Sequence, residues 1–543
     1  MCDVRSDVRV VIAIDLVTRH NGGMSLDGVL GKLDLKAAAE QELKTRNRLM
    51  PPRWDRLALV PQAGAVTQWL RPRYTKGLFG ERADVVFVEK NRSGVRPISE
   101  LTLTDRVLYR ALVGFIAEAL PEGLTRRPPN SEFQSAPLQD ENVRYVSKSD
   151  VAAYYEFIDH ELLEIELLSQ TGEAPAIAAL LELLGRVMGR RVGLPQIHKS
   201  SDILGDTYID PVRRRMRRAG FDVYTYSDDF RIASTTLAAA RAALESCASE
   251  VRGLGLVLNE SKTYTYGVAK YRESLNAFAE AERRLFDDQA DQLAFLLDEG
   301  YADADDESEE EPLDLGGGHE GAEDDAIVED GQLEESAYQE SNERQVAAAK
   351  RAWEIWMGEE AEEATSPQDA AITMSLLSRA LPILGAAGVD DPRHDLSRLL
   401  RREPAVTPQV ASYLINLGKN DQRARTLARQ TLDQLVGEDS FSVWQRMWLA
   451  EAAGHIRRSG DRPLYRWLVE CVASAPAPLA ATAAAAIGRL GLPESNALAA
   501  ALDRVGPVWR GLVLWALANV DPNQAAACAD SRLDRLLIEA VKE

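Results

Sequence analysis

Three carboxylates, Asp150, Asp228 and Asp229, are the groups in this chain best placed to do chemistry. The adjacent pair lies in the run Phe221-Asp222-Val223-Tyr224-Thr225-Tyr226-Ser227-Asp228-Asp229-Phe230-Arg231-Ile232. Apolar and aromatic residues flank it on both sides, which predicts strand, tight turn and strand with the carboxylates at the hairpin tip. Like charges held side by side repel, and a divalent cation would offset that repulsion. A solvated turn carries the same residue types, so the pair alone leaves both readings open. Asp150 ends a predicted strand, Tyr145–Val151. It is followed by Tyr154 and Tyr155 and by an amphipathic helix from about His160. A carboxylate there suits a metal ligand or a helix cap.

The elements that would hold these groups come from the surrounding pattern. Residues 84–90 predict a strand, Asn91-Arg92-Ser93-Gly94 a hairpin turn, and Val95-Arg96-Pro97-Ile98 the start of the return strand. Lys90 and Arg96 then lie on one hairpin, able to face a triphosphate or to serve as ordinary surface charges. A helix follows, with Thr104 as its expected N-cap. Gly193-Leu194-Pro195-Gln196 feeds another helix, capped at or near Ser201 and closed by Arg213, Arg214, Arg215, Arg217 and Arg218. Five arginines in six positions suit phosphate binding and a solvated helix end equally. Residues 254–263 predict a strand, then a turn carrying Lys262. Upstream, Val8–Val17 reads as a strand and Leu33–Arg48 as a helix. The segment with Trp69, Arg71, Arg73, Tyr74 and Lys76 interleaves cations and aromatics, as a nucleic-acid contact or a solvated face would.

Between about residues 84 and 270 the chain resembles the reverse transcriptases of the right-hand polymerase class. Arg96-Pro97-Ile98 with Asp105-Arg106-Val107 is similar to their fingers segment. Asp150 with Tyr155 and Ile158-Asp159-His160 resembles the first palm motif, Gly193–Gln196 with Ser201 the second, and Tyr226–Asp229 the Tyr-x-Asp-Asp motif. Leu254-Gly255-Leu256 with Asn259 and Lys262 resembles the fourth. The resemblance implies an RNA-directed DNA polymerase with RNA and DNA as template and primer and deoxynucleotides as substrates. It also implies two Mg²⁺ ions, with Mn²⁺ as a substitute. Asp150, Asp228 and Asp229 would be the catalytic metal ligands, with the Val151 carbonyl beside them. Tyr155 would sit under the sugar, Gln196 beside the nucleotide, Lys90 and Arg96 on the triphosphate, and Lys262 would donate a proton to pyrophosphate. One position departs from the family: Ile197 stands where a glycine usually allows the backbone to bend.

The 543 residues carry a formal charge of −22, but residues 301–340 hold 17 acidic residues and no Lys or Arg. Removing those leaves −5 on the rest, and residues 1–280 sum to +1, so the acidic total does not exclude a nucleic-acid partner. Cys2, Cys247, Cys471 and Cys528 lack metal-type spacing and suit a reducing cytoplasm. No apolar run is long enough for a membrane helix.

The expected architecture is α+β. It comprises an N-terminal extension and fingers (1–145), a palm with the start of a thumb (146–280), an acidic disordered linker (281–341) and an all-α HEAT-like repeat (342–543). The repeat could meet a protein partner or a second copy. A palm followed by helical repeats resembles the abortive-infection, defence-associated enzymes of bacteria. The alternatives are a retron or group II intron-like enzyme, or a non-catalytic palm acting as a nucleic-acid-binding scaffold.

Overall fold

The computed structural model describes residues 26–90, 94–275, 331–359, 367–456 and 462–542. The expected strand Val8–Val17 and most of the expected acidic linker lie outside these residues. Helix α1 (Leu35–Lys44), the short α2 (Trp54–Ala58) and α3 (Ala63–Thr75) precede an antiparallel hairpin, β1 (Asp84–Lys90) and β2 (Gly94–Glu100). Alternation sets the two faces of that hairpin. Val86, Val88 and Ile98 are buried, while Val85, Phe87 and Val95 are exposed. Lys90 and Arg96 follow the parity of the buried residues, and Arg96 pairs with Val88 in register. Both cations therefore point from the inner face.

Helix α4 (Leu103–Ala117) is capped two residues earlier than expected. Its N-cap is Thr102, whose hydroxyl accepts from Asp105 N and donates to the Asp105 carboxylate. Thr104 is inside the helix. After β3 (Tyr145–Asp150) come α5 (His160–Thr171), α6 (Ala174–Met188) and α7 (Lys199–Arg218). Helix α5 begins where the pattern predicts, because the Asp159 carboxylate accepts from Glu161 N and Leu162 N. Helix α7 begins at Lys199, not at Ser201. Ser201 is buried and bonds the Pro195 carbonyl and the Tyr109 hydroxyl, which pins the preceding loop.

Strands β4 (Asp222–Tyr226) and β5 (Asp229–Ser234), helix α8 (Leu237–Gly253) and β6 (Tyr264–Gly267) complete the second sheet, ordered β4-β5-β3-β6 and wholly antiparallel. The expected strand at 254–263 is reduced to a single bridge between Leu258 and Val151; pairing moves to β6.

Beyond residue 330 the described chain is helical. The first helix, α9 (Gly331–Glu359), begins inside the segment expected to be linker. Then come α10 (Pro367–Ala386), α11 (Leu396–Arg402), α12 (Thr407–Lys419), α13 (Gln422–Val436), α14 (Val443–His455), α15 (Arg462–Ser474), α16 (Ala477–Leu490), α17 (Ser495–Ala501), α18 (Gly506–Val520) and α19 (Arg532–Lys542). Helices α10, α12, α14, α16 and α18 pack in succession. Small residues allow this close approach. Ala480–Ala486 of α16 are all buried, and a Cβ on Gly488 would stand 2.7 Å from Ala516 Cα.

This array is docked on the N-terminal half, and one apolar core runs through both. Tryptophans make the join. Trp444 donates to the Leu49 carbonyl at 2.5 Å, and Trp509 donates to Asp84 Oδ2 at 2.6 Å. Trp54 stacks on Trp515, carries Arg489 over its face at 4.2 Å and donates to Glu451. Arg53 crosses the seam to the Val508 carbonyl and covers the Trp509 ring. The segment with Trp69, Arg73 and Tyr74 lies at this junction too. Tyr74 is buried and donates to the Thr104 carbonyl, Arg73 stacks on Trp69, and all but Tyr74 border a cavity of about 410 Å³ shared with Pro507 and Leu533. Among the described residues, no helix is long and apolar enough to cross a membrane.

Candidate active site

The antiparallel ladder between β3 and β5 brings the three carboxylates together. Asp150, the last residue of β3, is the register partner of Asp229, the first residue of β5. Asp228 lies in the turn between β4 and β5, and its carbonyl accepts the Val151 N–H at 3.0 Å. Ser227 makes that turn tight with a left-handed backbone, φ +52°.

Each outer carboxylate has its own cation. Lys262 Nζ donates to Asp150 Oδ2 at 3.0 Å, joined by Asn259 Nδ2 at 3.3 Å, while Asn259 N donates to the Asp150 carbonyl at 2.7 Å. Arg231, buried two residues along the same strand face, lies 3.3 Å from Asp229 Oδ1. Asp228 differs. Burial, reinforced by repulsion from Asp150 and then Asp229, pushes its carboxyl up to about 7. A half-buried carboxylate repelled by two others is a place where a hard cation gains most.

Among the described residues, no three carboxylate, imidazole or thiol groups converge closely enough to enclose a metal ion on their own. Mg²⁺ does not require this. It keeps several waters and takes one or two carboxylates together with substrate phosphates. The hard oxygens of Asp150 and Asp228 fit that demand, and the raised Asp228 supplies the electrostatic reason.

The hairpin cation Lys90 interacts electrostatically with this cluster. Burial lowers the Lys90 ammonium from its ordinary value, and the charges of Arg96 and Lys262 lower it further, against the pull of Asp228 and Asp150. Lys90, Arg96 and Lys262 therefore share one electrostatic field with the aspartates.

Tyr155 is fixed at the floor. Its hydroxyl donates to Asp202 Oδ1 at 2.7 Å and shares a 3.0 Å hydrogen bond with Ser227 Oγ. Gln196 Nε2 donates to Glu156 Oε1 at 3.1 Å, and Arg190 holds the other Glu156 oxygen at 2.6 Å. The loop bend expected to need glycine is kept by Ile197 itself, at φ +59°. Among the described residues, the non-glycine positions with positive φ are Ala153, Ile197 and Ser227. All three flank the site, where strained backbone is held by its surroundings.

Four of the five arginines of the α7 run have partners within the protein. Arg213 and Arg214 pair with Asp210, Arg214 also with Glu166, and Arg215 with Glu250; Arg217 donates to the Val223 carbonyl. Several residues of the site were given no role by the sequence alone: Arg231, Glu156, Asp202 and Ser227. Arg231 had a usable signal, since residues i and i+2 of a strand share a face. Asp202 had none, because its partner Tyr155 is 47 residues away.

Residues 88–296 match the family model described as reverse transcriptase (RNA-dependent DNA polymerase). No curated protein matches the chain. The matched span holds every one of these site residues, and the C-terminal helices from Gly331 lie outside it. Residues 88–296 are thus similar to a reverse transcriptase domain, and that similarity supports RNA-directed DNA polymerase chemistry with template, deoxynucleotides and a divalent metal.

Proposed function

We propose that the protein synthesises DNA on an RNA template by two-metal phosphoryl transfer at Asp150, Asp228 and Asp229. The observation that carries this reading is the placement of Asp150 opposite Asp229 in the β3–β5 register, with Asp228 in the adjoining turn and its carbonyl on the Val151 N–H. When bound, two Mg²⁺ ions supply charge stabilisation at the attacking and leaving oxygens. Asp150 and Asp228 would hold them, with Asp229 and the Val151 carbonyl alongside. Lys90 and Arg96 neutralise the triphosphate from above. The Tyr155 ring closes the sugar pocket against a 2′-hydroxyl, and Gln196 contacts the nucleotide from the loop. Lys262 is the proton donor to pyrophosphate.

The setting we assign is antiviral defence in the bacterial cytoplasm, with the C-terminal helices as a HEAT-like array able to take a partner. Its support is the order of parts: a palm followed, among the described residues, by helices that buttress the fingers. Phage plating on cells expressing the wild type or Asp228→Ala/Asp229→Ala tests it. Equal plaque counts on both would refute the defence role.

The polymerase reading is tested by labelled dNTP incorporation with Mg²⁺, with and without template, beside the same double variant. Incorporation that requires both aspartates is expected. Retained nucleic-acid binding without incorporation under any primer or metal would leave the scaffold reading instead.

A further inference from the structure

Two consecutive tyrosines after Asp150 dock on a single turn of α7. Tyr154 donates to the Gly205 carbonyl at 2.6 Å, and Tyr155 donates to Asp202 at 2.7 Å. Residues three and four apart share a helix face, so Asp202, Gly205 and Asp206 form one cradle. Gly205 is the gap in it. A Cβ there would stand 3.2 Å from the Tyr154 ring and 3.4 Å from the Tyr155 ring.

The phenol has one hydrogen. Asp202 takes it, so the Ser227 hydroxyl must donate to the phenolic oxygen. Tyr155 is therefore tied at the same oxygen to α7 and to the turn that carries Asp228. A second tie runs parallel, since the Ser227 main-chain N–H bonds the Asp206 carboxylate.

Arg127 locks both carboxylates. Its Nε donates to Asp206 Oδ2 at 2.7 Å, its Nη1 lies 3.6 Å from Asp202 Oδ1, and its guanidinium covers the Tyr226 ring at 5.3 Å. Beyond Arg127 lies a cavity of about 330 Å³ bounded also by Asp206 and Tyr226. The carboxylates and the Tyr226 ring hold the arginine at the edge of that cavity.

We infer that Asp202 is a specificity-determining positioning residue: through the Tyr155 hydroxyl it sets the sugar-contacting ring and the Ser227-Asp228 turn as one rigid unit, and so fixes discrimination between deoxyribo- and ribonucleotides. This rests on the polymerase reading and adds to it that the sugar gate is held by hydrogen bonds. A ring packed only by its apolar neighbours would keep its position without its hydroxyl.

The test uses the full-length protein with Mg²⁺ and compares kcat/KM for a dNTP with that for the matching rNTP. The variants are Asp202→Ala, Asp202→Asn and Tyr155→Phe, the last deleting only the tethered oxygen. A hydrogen bond to a charged group contributes roughly 1.5–3 kcal/mol, so the dNTP/rNTP ratio should fall about tenfold or more in Asp202→Ala and Tyr155→Phe. Asp202→Asn, which keeps an acceptor, should recover part of it. A merely structural role lowers both substrates together and leaves the ratio alone. If both variants keep the wild-type ratio, the inference is overturned while the polymerase stands. If the wild type incorporates neither nucleotide, the polymerase reading fails first. Should Asp202→Ala not fold, Tyr155→Phe decides.

Discussion

The palm and the C-terminal helical array solve opposite problems with the same chain. Around the three aspartates the backbone takes positive φ at Ala153, Ile197 and Ser227, and charges are buried at Asp150 and Arg231. In the array the described positive-φ positions are glycines, Gly388, Gly491 and Gly506, and the central helix is a run of buried alanines. A site that must aim carboxylates keeps local strain because its surroundings enforce it. A packing surface avoids strain and gains from close apolar approach. The seam between them mixes both manners: indole rings bury area while their N–H groups bond Leu49, Glu451 and Asp84.

The largest expected effect separates the two regions. Asp228→Ala/Asp229→Ala should lower incorporation by about a thousandfold or more, the scale of several kcal/mol of transition-state charge stabilisation. Thermal stability should hold or rise, since a buried repulsion is removed. A double variant that retained activity would end the distinction between aiming and packing.

Next is the seam. Trp509 is almost fully buried, so Trp509→Ala should destabilise by about 3–5 kcal/mol. Because one core spans both halves, near-ultraviolet circular dichroism and incorporation activity should be lost in the same transition on heating. Activity that outlasted the helices would show the array to be an independent body.

Acid should act through a third group of residues, buried beneath the fingers. Burial alone would raise Glu42 and Glu100. The neighbouring arginines overcome it, Arg106 and Arg110 for Glu42 and Arg56 and Arg106 for Glu100, and hold each at about 2 against an ordinary 4.5. Burial, then the charge of Arg106, depresses His198 to about 3 from 6.5. In every case the unfolded chain binds the proton first, so stability falls as pH falls. The His198 contribution declines from pH 6.5 toward 3, and the two glutamates add their loss from 4.5 toward 2. Melting temperatures across pH 3–8 should show both phases, and His198→Gln should flatten the upper one. A flat profile down to pH 4 would remove the network from the account.

The smallest effect is expected at Ile197. A branched side chain in the left-handed region costs about 1–2 kcal/mol. Ile197→Gly relieves it but gives up half-buried apolar surface and adds unfolded-state freedom of about 0.5–1 kcal/mol. The melting shift should therefore stay within about 1 kcal/mol either way. A much larger loss would mean that Ile197 serves packing, as residues of the array do.

Much of the site was legible because it is written in local segments. The hairpin tip with Asp228 and Asp229, the strand end at Asp150 and the Lys90/Arg96 hairpin each follow from alternation and turn chemistry over a dozen residues. The starts of α4 and α7 were displaced by two or three positions, since Thr104 and Ser201 have the right chemistry for a cap while the helices begin after Thr102 and His198. Trp444 and Trp509 of the array join it to the N-terminal half, because an apolar residue does not say which surface will cover it.

By itself the sequence determined which residues carry charge to the turns, since strand alternation and backbone preference act within a few residues. Only the tertiary structure decided that Asp202 holds Tyr155, that Lys262 pairs with Asp150, and that α18 braces β1 through Trp509 and Asp84. Those pairings cross tens to hundreds of residues. They depend on packing free energies shared among many contacts, which no local pattern encodes.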